Sequence, residues 1–259
     1  MSDRVVVKTK ILSKKELVPN IFEMIVDADN LLNTAKAGQF IHISCEGDTF
    51  LRRPISICEI SDNKLRFIFE IRGKGTKLLA EKNEGDIIDL LGPLGNGFSV
   101  NKNYKNPVVI GGGIGVYPML ETAKQLNATA ILGFRNKDLV TLEEDFNKYS
   151  KRVYITTDDG SYKRSGRVTD VLAELLLTED IDAIFACGPM PMLKALKPIA
   201  ANNGIYLEVS LEERMACGIG ACLCCATKVS DKEMEEGYNF AHVCKHGPVF
   251  NAKEVLFND

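Results

Sequence analysis

Five cysteines near the C-terminal end of the chain are the residues whose types and spacing most clearly indicate chemistry. Four lie within nine positions of 215-MACGIGACLCCATKV-229, and the fifth, Cys244, follows in 241-AHVCKHGPVF-250. The pattern Cys217-x4-Cys222-x2-Cys225 with the distant Cys244 is the spacing of a plant-type [2Fe–2S] site. Small or apolar residues fill the first loop, so that their backbone N–H groups can turn towards the sulfur atoms. The pattern therefore indicates an iron–sulfur cluster.

Two other chemistries also use several cysteines. Four thiolates can hold a structural zinc ion, but zinc sites usually use two short cysteine pairs, whereas here three ligands are bunched and one stands alone. A disulfide framework is third, because we expect a cytoplasmic protein, whose thiols stay reduced. Cys224 is adjacent to Cys225 and cannot share its ligand spacing, so we predict that it points away as a bystander.

The bulk properties exclude several classes of function. The length of 259 residues predicts two or three domains, and 45% hydrophobic with 26% charged residues is typical of a soluble protein. A net charge of −3 gives no electrostatic reason to expect a nucleic acid or a membrane as partner. The N-terminus has no apolar run of the secretory type, and the longest weakly polar stretch is too short to span a bilayer. These features predict a cytoplasmic location.

The elements that must position the cysteines begin with a strand-rich domain at 1–101. Period-two alternation and evenly spaced turn residues predict an antiparallel β-barrel or sandwich. Its strands are predicted at 5–16, 21–28, 39–45, 54–60, 65–71 and 86–93.

Residues 102–210 instead alternate apolar strands with helical patterns, which indicates a Rossmann-like parallel sheet covered by helices. The helices are predicted at 116–127, 142–150, 168–177 and 191–204. A last strand at 205–210 leads into a small cysteine domain at 211–259.

Two loops of the α/β domain are typical of a nucleotide site. In 108-VVIGGGIGVYPML-120 a strand passes through Gly113 and Gly115 to a helix N-terminus, where backbone N–H groups suit a pyrophosphate; the alternative is a tight turn. Arg135 follows the next strand where a ribose-binding acid is usual, and it suits either a 2′-phosphate or a surface carboxylate.

The second loop is 186-ACGPMPML-193, at the carboxyl end of another predicted strand. Cys187 is a poor candidate for a nucleophile because none of the three histidines (His42, His242 and His246) lies near it in the sequence. Contact with a nicotinamide ring and simple packing both stay open for Cys187.

The barrel sequence has two further motifs that suit an anionic ligand. Arg53 and Ser56 of 53-RPIS-56 can aim a guanidinium and a hydroxyl at one molecule. The turn 73-GKGT-76 precedes a helix, so its N–H groups and the Thr76 hydroxyl suit a pyrophosphate. Each alone is an ordinary surface turn, but together they favour a flavin nucleotide.

These motifs resemble the ferredoxin-reductase superfamily. The resemblance rests on RPIS, GKGT, GPLGNGF at 92–98, GGGIGVYP at 111–118 and CGPMPM at 187–192. The tail, from ERMACGIGAC to VCKHGPVF, is similar to that of the electron-transfer subunits of NAD-linked dihydroorotate dehydrogenases. This implies an FAD-binding barrel, an NAD-binding domain and a [2Fe–2S] domain. It further implies an FMN-containing catalytic partner in a heterotetramer of two copies of each chain, and an electron relay to NAD⁺ in pyrimidine biosynthesis.

The resemblance also implies roles for individual residues. Flavin contacts fall on Arg53, Pro54, Ile55, Ser56, Ile68, Phe69 and Glu70, and diphosphate contacts on Gly75 and Thr76. NAD(H) contacts fall on Gly113, Gly115, Cys187, Gly188 and Pro189, and cluster ligands on Cys217, Cys222, Cys225 and Cys244. No residue is expected to act as a general acid or base. His246 stands where an acid is often seen, and we expect it in a solvated loop.

Two rival functions stay open on the sequence. A related FAD and [2Fe–2S] subunit serving a ferredoxin, sulfide or hydrogenase partner would share the first two domains. A zinc-stabilised nucleotide-binding sensor would share the nucleotide motifs and the thiols but would be colourless.

The ligand register makes a prediction about the adjacent cysteines. Cys224→Ser should leave the absorption and EPR spectra of the cluster unchanged, whereas Cys225→Ser should abolish or distort them, because only the second removes an iron ligand. The opposite pair of results would place the register one residue away.

Overall fold

A computed structural model describes residues 5–28, 35–47 and 49–257. The first part of the chain forms a closed antiparallel barrel with strand order β1-β2-β5-β4-β3-β6. Its elements are β1 (Val5–Val18), β2 (Ile21–Asp27), β3 (Phe40–Ile43), β4 (Arg53–Ser61), β5 (Lys64–Glu70), α1 (Lys74–Glu81) and β6 (Ile87–Leu94). All six predicted strands are present. Because the sheet closes on itself, it is a barrel rather than the sandwich that the sequence also allowed. The predicted strand at 39–45 is the most shortened, since pairing in β3 ends at Ile43.

The barrel closes because its strands alternate apolar side chains into a common interior. Ile11, Met24, Ile41, Ile57 and Phe67 are completely buried there. The residues between them point outward, so the outer surface is free to carry polar and ligand-binding side chains.

The second part is a seven-stranded sheet with order β10-β9-β8-β7-β11-β12-β15. Its parallel strands are β7 (Pro107–Gly112), β8 (Thr129–Phe134), β9 (Arg152–Thr157), β10 (Arg164–Ser165), β11 (Ala183–Cys187) and β12 (Tyr206–Ser210). The helices are α2 (Met119–Leu126), α3 (Glu143–Tyr149), α4 (Val168–Leu175) and α5 (Met190–Asn202), and 3-10 turns cover Gly113–Val116 and Lys137–Leu139. The predicted helix at 116–127 begins late because the glycine turn precedes it.

The strand order reverses between β7 and β11, which lie side by side although they are far apart in sequence. The chain builds outward from β7 to β8 and β9 on one side and from β11 to β12 on the other. Such a switch point opens a crevice at the carboxyl ends of the two strands. Both predicted nucleotide loops leave the sheet at this point.

The cysteine segment folds as a hairpin, a short helix and one strand of the large sheet. The hairpin pairs β13 (Ala226–Ser230) with β14 (Tyr238–His242), and α6 (Val243–His246) leads to β15 (Val249–Asn251). β15 pairs antiparallel with β12. The sequence analysis predicts β12 but not β15. The domain limits 1–101, 102–210 and 211–259 stay predictions. Strand pairing and a shared apolar core both cross the boundary between residues 210 and 211.

The barrel and the α/β domain meet across half-buried ion pairs. The Arg66 guanidinium contacts Asp145 at 3.0 Å and donates from Nε to Glu23 at 2.7 Å. The nearby Glu121 carboxylate accepts the Ile60 N–H at 3.0 Å. These bonds tie α2 and α3 to the barrel and so fix the walls of the cleft between the domains. Among the described residues, no helix has the length and apolarity needed to cross a membrane.

The anchoring of β15 makes a prediction about stability. Phe250 is 7% exposed within the core shared by the sheet and the cysteine segment. Phe250→Ala should lower the free energy of unfolding by about 3–5 kcal/mol, measured by urea denaturation.

The control is Phe240→Ala, because Phe240 is 53% exposed on the hairpin. That change should stay within about 0.5 kcal/mol of the parent chain. Equal losses in the two variants would contradict the anchoring role of β15.

Candidate functional site

A cavity of about 230 Å³ opens on the outer face of the barrel, beside β4 and β5. Of the residues predicted to contact a flavin, its walls include Arg53, Pro54, Ile55, Ser56, Ile68, Phe69, Glu70 and Thr76. Antiparallel pairing of β4 with β5 brings the two sequence segments together. The individual contacts stay predictions, but the structure gathers the predicted set around one space.

The turn before α1 lies directly against the Arg53 guanidinium. A Cβ atom at Gly75 would overlap Arg53 Nε and Nη2, so a side chain at this position would displace the guanidinium. The Thr76 hydroxyl accepts hydrogen bonds from Arg72 N at 2.9 Å and Gly73 N at 3.3 Å. Thr76 thus closes the turn, while the first N–H groups of a helix have no acceptor within the helix. An anion at this end of the cavity would meet a guanidinium and a helix N-terminus.

A second cavity, of about 500 Å³, lies at the switch point between β7 and β11. Its walls include the predicted NAD set of Gly113, Gly115, Cys187, Gly188 and Pro189. Gly113 has φ +56°, and a Cβ atom there would meet nothing within 4 Å, so its backbone faces open space. A Cβ atom at Gly115 would overlap the Cys187 carbonyl, so that glycine lets the two loops touch.

The two cavities form one cleft across the barrel and the sheet. Both are lined by Pro54, Ser56, Glu70, Arg72, Ile114, Tyr117, Pro118 and Glu212. Arg72 pairs with Glu70 at 2.7 Å and reaches Glu212 at 3.8 Å. The sequence interpretation gave no role to Arg72, Tyr117 or Glu212, although each lies within or next to a quoted motif.

Cys187 and Arg135, for which the sequence leaves two roles open, also line the larger cavity. Burial raises the pKa of the Cys187 thiol to about 12, against the effect of a hydrogen bond with Ser210, so the sulfur is protonated at neutral pH. A protonated thiol is a weak nucleophile, in agreement with the low expectation for covalent catalysis. Arg135 lines the same cavity beside Phe134 and Leu139.

The predicted cluster ligands form two pairs of thiols. The N–H of Cys222 donates to Cys217 Sγ, and the N–H of Cys244 donates to Cys225 Sγ, both at 3.4 Å, and the thiols of each pair also interact electrostatically. Within the described residues, no three His, Cys, Asp or Glu side chains converge as they would around one metal ion. Two pairs suit a two-iron cluster, because each iron takes two thiolates.

Backbone N–H groups of the first loop turn towards these sulfur atoms, as the loop composition predicts. Cys217 Sγ accepts from Ile219 N, Ala221 N and Cys222 N at 3.3–3.4 Å, and Cys244 Sγ accepts from Gly220 N at 3.1 Å. Burial tends to raise the pKa of Cys217, but these hydrogen bonds outweigh it and lower the pKa to about 6. The loop therefore favours a thiolate at this position.

The residues of the cysteine segment differ in their exposure to solvent. Cys225 and Cys244 are buried, whereas Cys222 and Cys224 are exposed. His246 is exposed as expected, but it lies on α6 rather than in a loop, and its Nδ1 accepts the His242 N–H at 3.0 Å.

Comparison with known proteins gives the family. Residues 212–256 match a family model described as the iron-sulfur cluster binding domain of dihydroorotate dehydrogenase B. The electron transfer subunit of dihydroorotate dehydrogenase B (NAD(+)) from Streptococcus mutans is 43% identical over 259 residues, covering 96% of this chain and 97% of the relative. Its counterpart from Caldanaerobacter subterraneus is 40% identical over 253 residues, covering 96% and 98%.

The chain belongs to the family of dihydroorotate dehydrogenase B electron transfer subunits. This confirms the resemblance seen in the motifs and tail.

Solved structures extend the likeness to the fold of this family. A structure of an NADH-dependent reduced ferredoxin-NADP oxidoreductase, described in relation to flavin-based electron bifurcation, aligns with a TM-score of 0.85 and 31% identity over 96% of this chain and 90% of that one. Phthalate dioxygenase reductase aligns with a TM-score of 0.66 and 17% identity over 92% and 94%. The predicted fold class, a barrel followed by a parallel α/β domain and an iron–sulfur domain, is confirmed.

The raised pKa of Cys187 predicts selective alkylation. At pH 7.5 iodoacetamide should label Cys224 in the folded chain and leave Cys187 unmodified, because only the thiolate attacks and Cys187 has a pKa of about 12. Peptide mass spectrometry checks this, with the urea-unfolded chain as the control in which both residues react. Rapid labelling of Cys187 in the folded chain would contradict the half-buried, protonated thiol.

Proposed function

We propose that this chain is the electron-transfer subunit of an NAD-linked dihydroorotate dehydrogenase in pyrimidine biosynthesis. It would accept electrons from a catalytic partner and deliver them to NAD⁺. The observation that carries the proposal is two thiol pairs beside one continuous cleft, in a chain about 40% identical along its length to such subunits. When bound, the cluster carries electrons singly, FAD exchanges them singly or in pairs, and NAD⁺ takes two as hydride.

The barrel part of the cleft supports the assignment of FAD. Arg53 lies over Gly75 and beside the N-terminus of α1, which together supply fixed positive charge for a diphosphate. Pro54 and Ile55 offer apolar surface for a flavin ring, and the Ser56 hydroxyl offers a hydrogen-bonding group in the part of the cleft shared with the sheet.

The sheet part supports NAD(H) as the substrate. The open space above Gly113 would admit a pyrophosphate close to the backbone, and Gly115 keeps the CGP loop close to the glycine turn. Ser56 and Glu70 line both cavities. A nicotinamide in the larger cavity would therefore lie beside a flavin in the smaller one, and Cys187, as a neutral thiol, would add no charge between them.

The cysteine segment supports a [2Fe–2S] cluster on Cys217, Cys222, Cys225 and Cys244. The backbone hydrogen bonds to Cys217 and Cys244 stabilise negative charge on sulfur and hold the loop against the thiols. All eight cysteines are free thiols, which supports a reducing cytoplasmic setting.

The proposal also includes a catalytic partner subunit. The name of the relatives, electron transfer subunit, implies a separate catalytic subunit. We infer that this partner holds FMN and oxidises dihydroorotate, and that two copies of each chain assemble. No side chain of the present chain would need to act on dihydroorotate.

The direct test is to purify the chain with its cellular partner and to measure reduction of NAD⁺ by dihydroorotate. Activity should require both chains and should be lost when Cys217→Ser removes a ligand. Reduction of NAD⁺ only by ferredoxin, sulfide or hydrogen would support a rival subunit and contradict this function.

Arg53 supplies a sharper prediction for the flavin. Arg53→Ala should weaken FAD binding about 10- to 100-fold, since a hydrogen bond to a charged group contributes about 1.5–3 kcal/mol. Absorbance at the flavin bands after gel filtration measures the retained FAD.

Arg52→Ala is the matched control, because the Arg52 guanidinium contacts Asp89 at 2.7 Å and lines neither cavity among the described residues. It should keep its FAD. Full FAD in the Arg53→Ala protein would contradict the assigned role.

A further inference from the structure

His42, on strand β3 of the barrel, is a buried polar side chain that the cleft does not use. It is completely buried. Neither Nδ1 nor Nε2 has a hydrogen-bond partner among the described residues. A buried polar atom left without a partner destabilises the folded chain, so a ligand outside the polypeptide is the expected source of the missing bond.

Strand geometry directs this imidazole towards the cysteine loop. Ile41 and Ile43 fill the barrel interior, so the intervening His42 projects outward. There it packs on Gly218, where a Cβ atom would overlap His42 Nδ1. Gly218 directly follows Cys217 and has φ +71°, so both the backbone and the ring require glycine.

The backbone of His42 is at the same time paired with the flavin-binding motif. In the β3–β4 register His42 lies opposite Pro54, and Phe40 lies opposite Ser56. Strand β3 therefore pairs with the cleft-lining strand β4 and also places the His42 ring against the cysteine loop.

The ring is neutral in this position. Burial, reinforced by the charges of Arg52 and Arg53, lowers the pKa of His42 to about 4, while the nearby backbone of Arg52, which makes no hydrogen bond of normal geometry to the ring, acts in the opposite direction. A neutral imidazole has one N–H donor and one acceptor nitrogen. The thiolates and sulfides of an iron–sulfur cluster are acceptors, and N–H donors to them tune its reduction potential.

We propose that His42 is a positioning residue that donates its ring N–H to a sulfur atom of the cluster on the Cys217 side. The inference rests on the proposed function, because it requires the cysteines to hold a cluster. Reduction adds negative charge to the cluster, so this hydrogen bond is stronger in the reduced state and raises the reduction potential. His42 thereby favours the reduced form of the cluster.

The first test is the cluster potential in two variants of the FAD- and cluster-loaded chain with its partner. His42→Leu removes the donor, and His42→Gln retains an N–H donor on a side chain of similar length. At fixed potential the ratio of reduced to oxidised cluster should fall about tenfold in His42→Leu, which is about 59 mV for a one-electron couple. His42→Gln should restore most of that shift. No shift, or equal shifts in both variants, would overturn the inference.

The second test leaves His42 intact. The chain has three histidines, so a His242→Gln/His246→Gln double variant retains only His42. With ring-¹⁵N histidine in this chain and an unlabelled partner, pulsed EPR of the reduced cluster should show a ¹⁵N coupling. A cluster signal without that coupling overturns the proposed role of His42 and leaves the proposed function standing. A loaded chain with no [2Fe–2S] signal overturns the proposed function.

Discussion

The antiparallel pairing of β15 with β12 is the interaction on which the geometry of the cysteine segment depends. Ser210 ends β12 and lies opposite Val249 of β15, and Leu211 N donates to Pro248 O at 2.9 Å. The excursion from 211 to 248 therefore leaves and rejoins the sheet at the same edge. Without this closure the four thiols would belong to a tail. With it, Glu212 lines the cleft and Cys217 follows only a few residues later.

A second constraint is the close approach of backbone segments around the cleft. At the switch point the glycine turn after β7 touches the CGP loop after β11, and on the barrel Arg53 rests on Gly75. In both places a methyl group would separate the elements. Gly218 makes a similar close contact with the His42 ring. Three glycines thus hold the nucleotide loops, the diphosphate turn and the cysteine loop in contact with their neighbours.

Much of this arrangement follows from patterns in the sequence. Period-two alternation gave the six barrel strands, and the change of period near residue 105 gave the parallel sheet, because each pattern reflects burial along one element. The spacing from Cys217 to Cys225 is local, so it predicted the ligand set and the exposed bystander Cys224.

The rest depends on contacts between distant segments. Nothing local marks Val249–Asn251 as a strand, since its partner β12 lies about forty residues earlier. The part of the cleft shared by the two cavities is lined by Arg72, Tyr117 and Glu212. These residues come from distant parts of the chain, so only the tertiary fold brings them together. His42 occurs in an ordinary alternating strand, and its importance depends on a glycine in another part of the chain. The α2 helix starts at Met119 rather than at 116, because residues Gly113–Val116 form a 3-10 turn before it.

The central claim is that Cys217, Cys222, Cys225 and Cys244 hold a two-iron cluster beside a flavin cleft. The most direct measurement is the iron, zinc, acid-labile sulfide and FAD content of the chain purified without oxygen. The account predicts about two iron atoms, about two sulfides and about one FAD per chain, and essentially no zinc. Zinc without labile sulfide, in a colourless protein, would contradict it.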